Sequence, residues 1–110
     1  MRAFPIDARA VASLDKVMHE PARLSVVACL SVVDEADFVF LQGQTGMTGG
    51  NLSSHISKLD KAGYIEVRKE FSGSRPRTTI ALTKSGRDSF AAYIESMRRF
   101  LEVLEKGDSR

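Results

Sequence analysis

The chain has 110 residues, 43% hydrophobic and 27% charged, with a formal net charge of +2. That length suits one domain spanning residues 1–110 with a modest core, and the composition excludes a disordered chain. No apolar run approaches the ~20 residues that cross a bilayer, the N-terminus lacks a signal-peptide stretch, and the single Cys29 excludes an internal disulfide, so the expected setting is soluble and cytoplasmic.

Residues 1–8 read as a loose arm and residues 10–18 as a first helix. Pro21 suits the first turn of a second helix, where its missing N–H costs nothing. This helix runs to about Val33, with Leu24, Val27, Ala28 and Leu30 among its apolar positions. Apolar residues surround most of it, which predicts a central place. Asp34-Glu35-Ala36-Asp37 reads as an acidic loop, and a short helix is expected over 38–45.

Gly46 then stops that helix and Thr48 can cap the next, over about 48–62. Met47 and Leu52 have hydrophobic-staple spacing, and Leu52, Ile56 and Leu59 mark a buried stripe. Gly63 ends the helix in a position that lets Tyr64 contact Leu59, as in a Schellman ending. Two helices joined by a tight glycine turn make a helix-turn-helix.

A hairpin follows. Ile65, Val67 and Phe71 share one strand face, interrupted by Lys69. Ser72-Gly73-Ser74-Arg75-Pro76 is turn chemistry, and the return strand 77–82 puts Thr78, Ile80 and Leu82 on one side. Thr83 caps a final helix to about Lys106. Gly86 near its start has no evident dihedral need and implies close packing. Phe90, Ile94, Met97, Leu101 and Leu104 repeat at 4-3-4-3 spacing, the seam of a coiled-coil-like helix.

Charge is unevenly placed. Residues 48–87 hold eight basic side chains (Lys58, Lys61, Arg68, Lys69, Arg75, Arg77, Lys84, Arg87) and three acidic ones (Asp60, Glu66, Glu70), a local +5, leaving −3 elsewhere. A polyanion would be drawn to that part alone. On the 48–62 helix, the side opposite the apolar stripe carries Gly50, Asn51, Ser54, Ser57, Lys58 and Lys61. Short polar side chains let a helix sit deep in a major groove, where Asn and Ser can bond base edges and Lys neutralises phosphate. Gly49 and Gly50 weaken the helix by about 1 kcal/mol each, yet allow a phosphate close to its N-terminus. The arginines of Ser74-Arg75-Pro76-Arg77 suit a phosphate backbone or a narrow minor groove.

Other residues carry less. Cys29 reads as a small core residue, not a redox sensor. His19 and His55 have no metal-ligand spacing with other residues, and His55 either touches DNA or fills the helix flank. Asp34, Glu35 and Asp37 form no catalytic pair, and no nucleophile, base and orienting group converge, so neither an enzyme nor a cofactor is expected. The last helix either packs on its own domain or pairs with a second copy.

The order of elements, with Leu14-Asp15-Lys16-Val17-Met18-His19-Glu20-Pro21-Ala22-Arg23-Leu24, Gly46-Met47-Thr48-Gly49-Gly50-Asn51-Leu52-Ser53-Ser54-His55-Ile56-Ser57-Lys58-Leu59, Lys61-Ala62-Gly63-Tyr64-Ile65 and Ala81-Leu82-Thr83-Lys84-Ser85-Gly86, resembles the winged-helix regulators of the MarR/ArsR/PadR type. It is most similar to the small stand-alone winged-helix DNA-binding family, over about residues 12–104. The resemblance implies a mainly α fold with a small β-hairpin (α+β), about five helices plus a two-stranded wing. It also implies transcriptional regulation by a homodimer.

The expected function is therefore sequence-specific binding of double-stranded DNA. The candidate contacts are Thr48, Gly50, Asn51, Ser53, Ser54, Ser57 and Lys58 on the 48–62 helix, with Arg75 and Arg77 on the 72–77 wing. Dimerisation falls to Phe90, Ile94, Met97, Leu101 and Leu104 on the 84–106 helix. A two-fold dimer would set two reading helices about 34 Å apart and favour a palindromic site. The alternative is a winged-helix module that binds protein without DNA, since fold does not fix function. No metal site is expected, and no effector can be named.

Overall fold

The computed structural model describes residues 13–108. The expected arm over 1–8 and residues 10–12 of the expected first helix lie outside this range. Residues 13–18, expected to continue that helix, form turns instead. The Asp15 carboxylate accepts hydrogen bonds from the backbone N–H of Val17 (2.9 Å) and Met18 (3.2 Å), and the Asp15 carbonyl accepts from His19 N–H (2.7 Å). An aspartate that bonds nearby backbone in this way competes with helix formation.

Four helices are present among the described residues: α1 (Pro21–Ser31), α2 (Phe38–Thr45), α3 (Gly49–Lys61) and α4 (Lys84–Asp108). The strands are β1 (Ala36–Asp37), β2 (Ile65–Ser72) and β3 (Arg75–Leu82), in the antiparallel order β1-β3-β2. The α+β winged-helix architecture is as expected, with a three-stranded sheet in place of a two-stranded one. The expected acidic loop is corrected at Ala36 and Asp37, which pair with Ile80 and Thr79. That pairing is non-local, and it buries Ala36.

Local signals explain most boundaries. Pro21 occupies the first turn of α1, and the Glu20 carboxylate caps it by accepting from the N–H of Ala22 and Arg23 (2.9 Å each). α1 ends at Ser31, two residues short of the expected Val33. The Arg87 guanidinium of α4 donates to the carbonyl of Ser31 (3.4 Å), an acceptor that the helix end leaves open, and to that of Val33 just beyond it (3.1 Å). Asp37 caps α2 by accepting from Phe40 N–H (2.7 Å). Gly46 stops α2 at φ 70°, in the left-handed region that glycine adopts without steric penalty.

The core joins Val26, Val27 and Leu30 of α1, Leu41 of α2, and Leu52, Ile56 and Leu59 of α3 to Ile65, Ile80 and Leu82 of the sheet. Met18 and Tyr93 belong to the same buried cluster. The Leu52/Ile56/Leu59 stripe is buried as its spacing predicts. The expected strand face is corrected at its outer end. Ile65 is buried and Val67 half-buried, but Phe71 lies 73% exposed, because the hairpin from Lys69 to Arg77 projects beyond the core. Cys29 is half-buried against the core, as a small packing residue would be.

Candidate nucleic-acid interface

α3 is fixed at both ends by its own sequence. The Thr48 hydroxyl accepts from Asn51 N–H (3.2 Å), capping the N-terminus. At the other end Tyr64 N–H donates to the Leu59 carbonyl (3.0 Å) and Gly63 N–H to that of Asp60 (2.9 Å), with Gly63 at φ 79°. This is the pair of bonds of a Schellman ending.

With its stripe in the core, α3 turns Gly50, Asn51, Ser53, Ser54, Ser57, Lys58 and Lys61 to solvent. Thr48 is exposed at its start. Extra methyl groups would meet nothing within 4 Å at Gly50 and only the Gln42 amide nitrogen at 3.8 Å at Gly49. Packing therefore does not require glycine at either place.

His55 falls on the flank, outside the open face. Its Nδ1 lies 3.2 Å from an Arg23 guanidinium nitrogen and 3.4 Å from a Glu20 carboxylate oxygen. Arg23 also donates to the Val17 carbonyl (2.8 Å). The cluster ties α3 to the start of α1, so His55 fills the flank instead of the reading face. Burial pushes the Glu20 carboxyl up, but the N–H groups of Ala22 and Arg23 and the nearby His55 and Arg23 outweigh it and hold the carboxyl below its ordinary value. The sequence gives little warning of this cluster, since glutamate is not a favoured cap and its partners are far apart in the chain.

The wing is a two-stranded ribbon. Its turn is the pair Gly73-Ser74, with Gly73 at φ 68° and Ser72 paired with Arg75. Arg75 and Pro76, expected in the turn, instead begin β3. Arg75 flanks the tip, and Arg77, opposite Glu70, sits further back with its Nε 3.7 Å from an Asp37 oxygen. Arg68 lies near Glu35 (3.9 Å) and Glu66 (3.8 Å). Among the described residues, Lys58, Lys61, Lys69 and Arg75 make no ion pair. Exposed pairs such as Arg77–Asp37 are worth about 1 kcal/mol or less, so a phosphate can displace the carboxylate.

The α4 seam divides along its length. Phe90 and Met97 pack partly against the domain's own core, beside buried Tyr93, whose hydroxyl lies 2.6 Å from His19 Nδ1. Ile94, Leu101 and Leu104 are 47%, 51% and 38% exposed. Tyr64 donates to the Asp15 carboxylate, and this hydrogen bond raises the phenol's pKa above its ordinary value. None of these tyrosine contacts has a local sequence signature. Among the described residues, no helix is long and apolar enough to cross a membrane, and no His, Cys, Asp or Glu group could hold a metal ion.

A capped helix with an open polar face, followed by a cationic β-ribbon, defines the winged-helix class of DNA-binding domain. The chain belongs to the winged helix DNA-binding domain family, which it matches over residues 22–101. It is 29% identical over 90 residues to an uncharacterised protein of Methanocaldococcus jannaschii, a match spanning 82% of this chain and 98% of the relative. Its fold is similar to that of a transcriptional regulator homologue from Pyrococcus horikoshii OT3, with TM-score 0.81, 26% identity, and 87% and 97% of the two chains covered. It is also similar to the transcriptional repressor BigR from Xylella fastidiosa, with TM-score 0.60, 28% identity, and 79% and 83% covered. Family and fold are thus those of transcription regulators.

Proposed function

We propose that this chain regulates transcription by binding double-stranded DNA sequence-specifically as a homodimer. In this reading α3 lies in the major groove. Asn51, Ser54 and Ser57 meet base edges, and Lys58 meets phosphate. Thr48, Gly50 and Ser53 shape the close approach at the helix start, while Arg75 and Arg77 grip the flanking backbone. The observation that carries the reading is the open face of α3. It is polar and locked outward by Leu52, Ile56 and Leu59, and its lysines have no acidic partner among the described residues.

The exposed Ile94, Leu101 and Leu104 support pairing of α4 with the same helix of a second copy. Apolar surface left on a projecting helix is costly in water unless a partner covers it. A two-fold pair would suit a palindromic operator.

Titration of a fluorescent mixed-sequence duplex at low salt tests the reading. Non-specific binding at about 10⁻⁴–10⁻⁶ M that weakens steeply with added salt is expected. Selection from fragmented genomic DNA should then enrich sites with two-fold symmetry. Anisotropy that stays flat at high protein concentration in dilute buffer would overturn the proposal.

A further inference from the structure

The wing carries an aromatic side chain that the fold does not use. Phe71 is 73% exposed, although it stands on the same sheet face as buried Ile65, Ile80 and Leu82. Its cross-strand partner is Pro76, also exposed, so the two form an apolar pair one step from the Gly73-Ser74 turn. Lys69 precedes Phe71 on that face, and Arg75 follows Ser72 across the turn. β1 pairs only with Thr79 and Ile80, so both edges of the ribbon are open toward the tip.

We infer that Phe71 and Pro76 form a wedge that the wing presses into the DNA minor groove beside the α3 site. There it contacts deoxyribose and partly unstacks one base step. This inference rests on the reading of α3 and the wing as a DNA interface. Charge complementarity selects the occupant, because Lys69 stands beside the apolar pair on its own face and Arg75 lies at the tip on the opposite face, neither with an acidic partner among the described residues. An apolar edge on a ribbon with unpaired cations on both of its faces suits a groove whose apolar sugars and base edges lie between two rows of phosphate. It suits an apolar protein partner poorly, since the lysine and arginine would need neutralising. Phenylalanine and proline are side chains that minor-groove binders insert between base steps. Pyrimidine–purine steps open most easily, so the wing selects for deformability at a position where it forms no base-specific hydrogen bond.

The chain contains no tryptophan, so Phe71→Trp gives a single indole at the wedge. The probe is a mixed-sequence duplex of about three helical turns, in versions carrying TA or AA steps. Without DNA, the Phe71→Trp protein is expected to emit as solvated indole, and duplex should quench that emission, more strongly with TA steps. Phe71→Thr, which keeps strand propensity, should weaken binding about tenfold without changing the salt slope. Duplex binding with unchanged indole emission and a Phe71→Thr protein of native-like affinity would overturn the wedge and leave the DNA reading standing. Emission already blue-shifted without DNA, and moving red on dilution, would assign Phe71 to a contact between copies and also overturn it. Failure of the unsubstituted protein to bind any duplex would overturn the underlying reading as well.

Discussion

The first turn of α4 rests directly on the backbone of Tyr64 at Gly86. A β-carbon at Gly86 would lie 2.9 Å from the Tyr64 carbonyl carbon and closer still to its oxygen. That oxygen accepts from Thr83 N–H (3.0 Å), and the Thr83 hydroxyl bonds Gly63 and Gly86 (2.7 and 3.0 Å). The obstacle is main chain held by hydrogen bonds, so it cannot move aside cheaply. Gly86→Ala should destabilise the fold by about 1–3 kcal/mol or more, read as a lower urea midpoint. Gly50→Ala is the control. It meets nothing within 4 Å and should leave stability unchanged or raise it by about 0.5–1 kcal/mol. Equal midpoints for the two variants would refute the close-packing account.

Glu20 supplies a pH dependence. Its carboxyl pKa is held below the usual 4.5 because the hydrogen bonds from Ala22 and Arg23 and the charges of His55 and Arg23 outweigh the effect of burial. A carboxylate favoured in the folded state stabilises the fold above its unfolded pKa, and that contribution fades as pH falls through the lower, folded value. The unsubstituted protein should therefore lose stability below about pH 4.5 more steeply than Glu20→Gln, which cannot titrate there. At neutral pH the variant should be weaker by about 0.5–2 kcal/mol, the usual worth of an N-cap. Urea midpoints of the two proteins measured across this range decide the matter, and parallel curves would contradict it.

The parts legible in the sequence were those set by near neighbours. Gly46, Thr48, Gly63 and the Leu52/Ile56/Leu59 stripe act within one or two turns of chain, and they located α2, α3 and the tight turn between them. Ala36 and Asp37 carry no such local signal, because a two-residue strand is made by its partners, Ile80 and Thr79, more than forty positions away. The exposure of Phe71 has a related cause. Alternation assigns a strand face, but it cannot say where along the strand the core ends. The expected first helix fails over 13–18 because the turn chemistry of Asp15 prevails there over apolar spacing. In the candidate site, the open face of α3 followed from periodicity, whereas the Glu20–Arg23–His55 tie required tertiary contact.

Replacing Ile94 and Leu101 together with glutamate tests the dimer. Both side chains are about half exposed, and the core beside α4 is filled by Phe90, Tyr93 and Met97. The double variant should therefore keep its melting temperature as a monomer, to within any contribution from assembly. Sedimentation should show the unsubstituted chain near twice the mass of the variant. Duplex affinity should fall as well, because two linked reading heads bind with higher effective concentration than one. A native chain that sediments as a monomer at high concentration would remove this assignment.

The charges on α3 and the wing make separable predictions. Lys58 and Arg75 have no ion-pair partner among the described residues, so deleting either leaves no carboxylate stranded. Each Ala variant should reduce the log–log salt slope of duplex binding by about 0.9, the signature of one lost phosphate contact. Arg77→Ala should change it less, since Arg77 must first leave Asp37, 3.7 Å away. Asn51 differs in kind. Its backbone N–H is held by Thr48 and its side chain is exposed, and in the proposed reading that amide meets a base edge. Asn51→Ala should leave the salt slope intact and alter the preferred sequence, costing about 1–3 kcal/mol of discrimination at one position. Binding curves across a salt series, together with sequence selection on each variant, separate the two roles. An Asn51 variant with reduced slope, or Lys58 and Arg75 variants with altered sequence preference, would reverse the division of labour between base reading and phosphate grip.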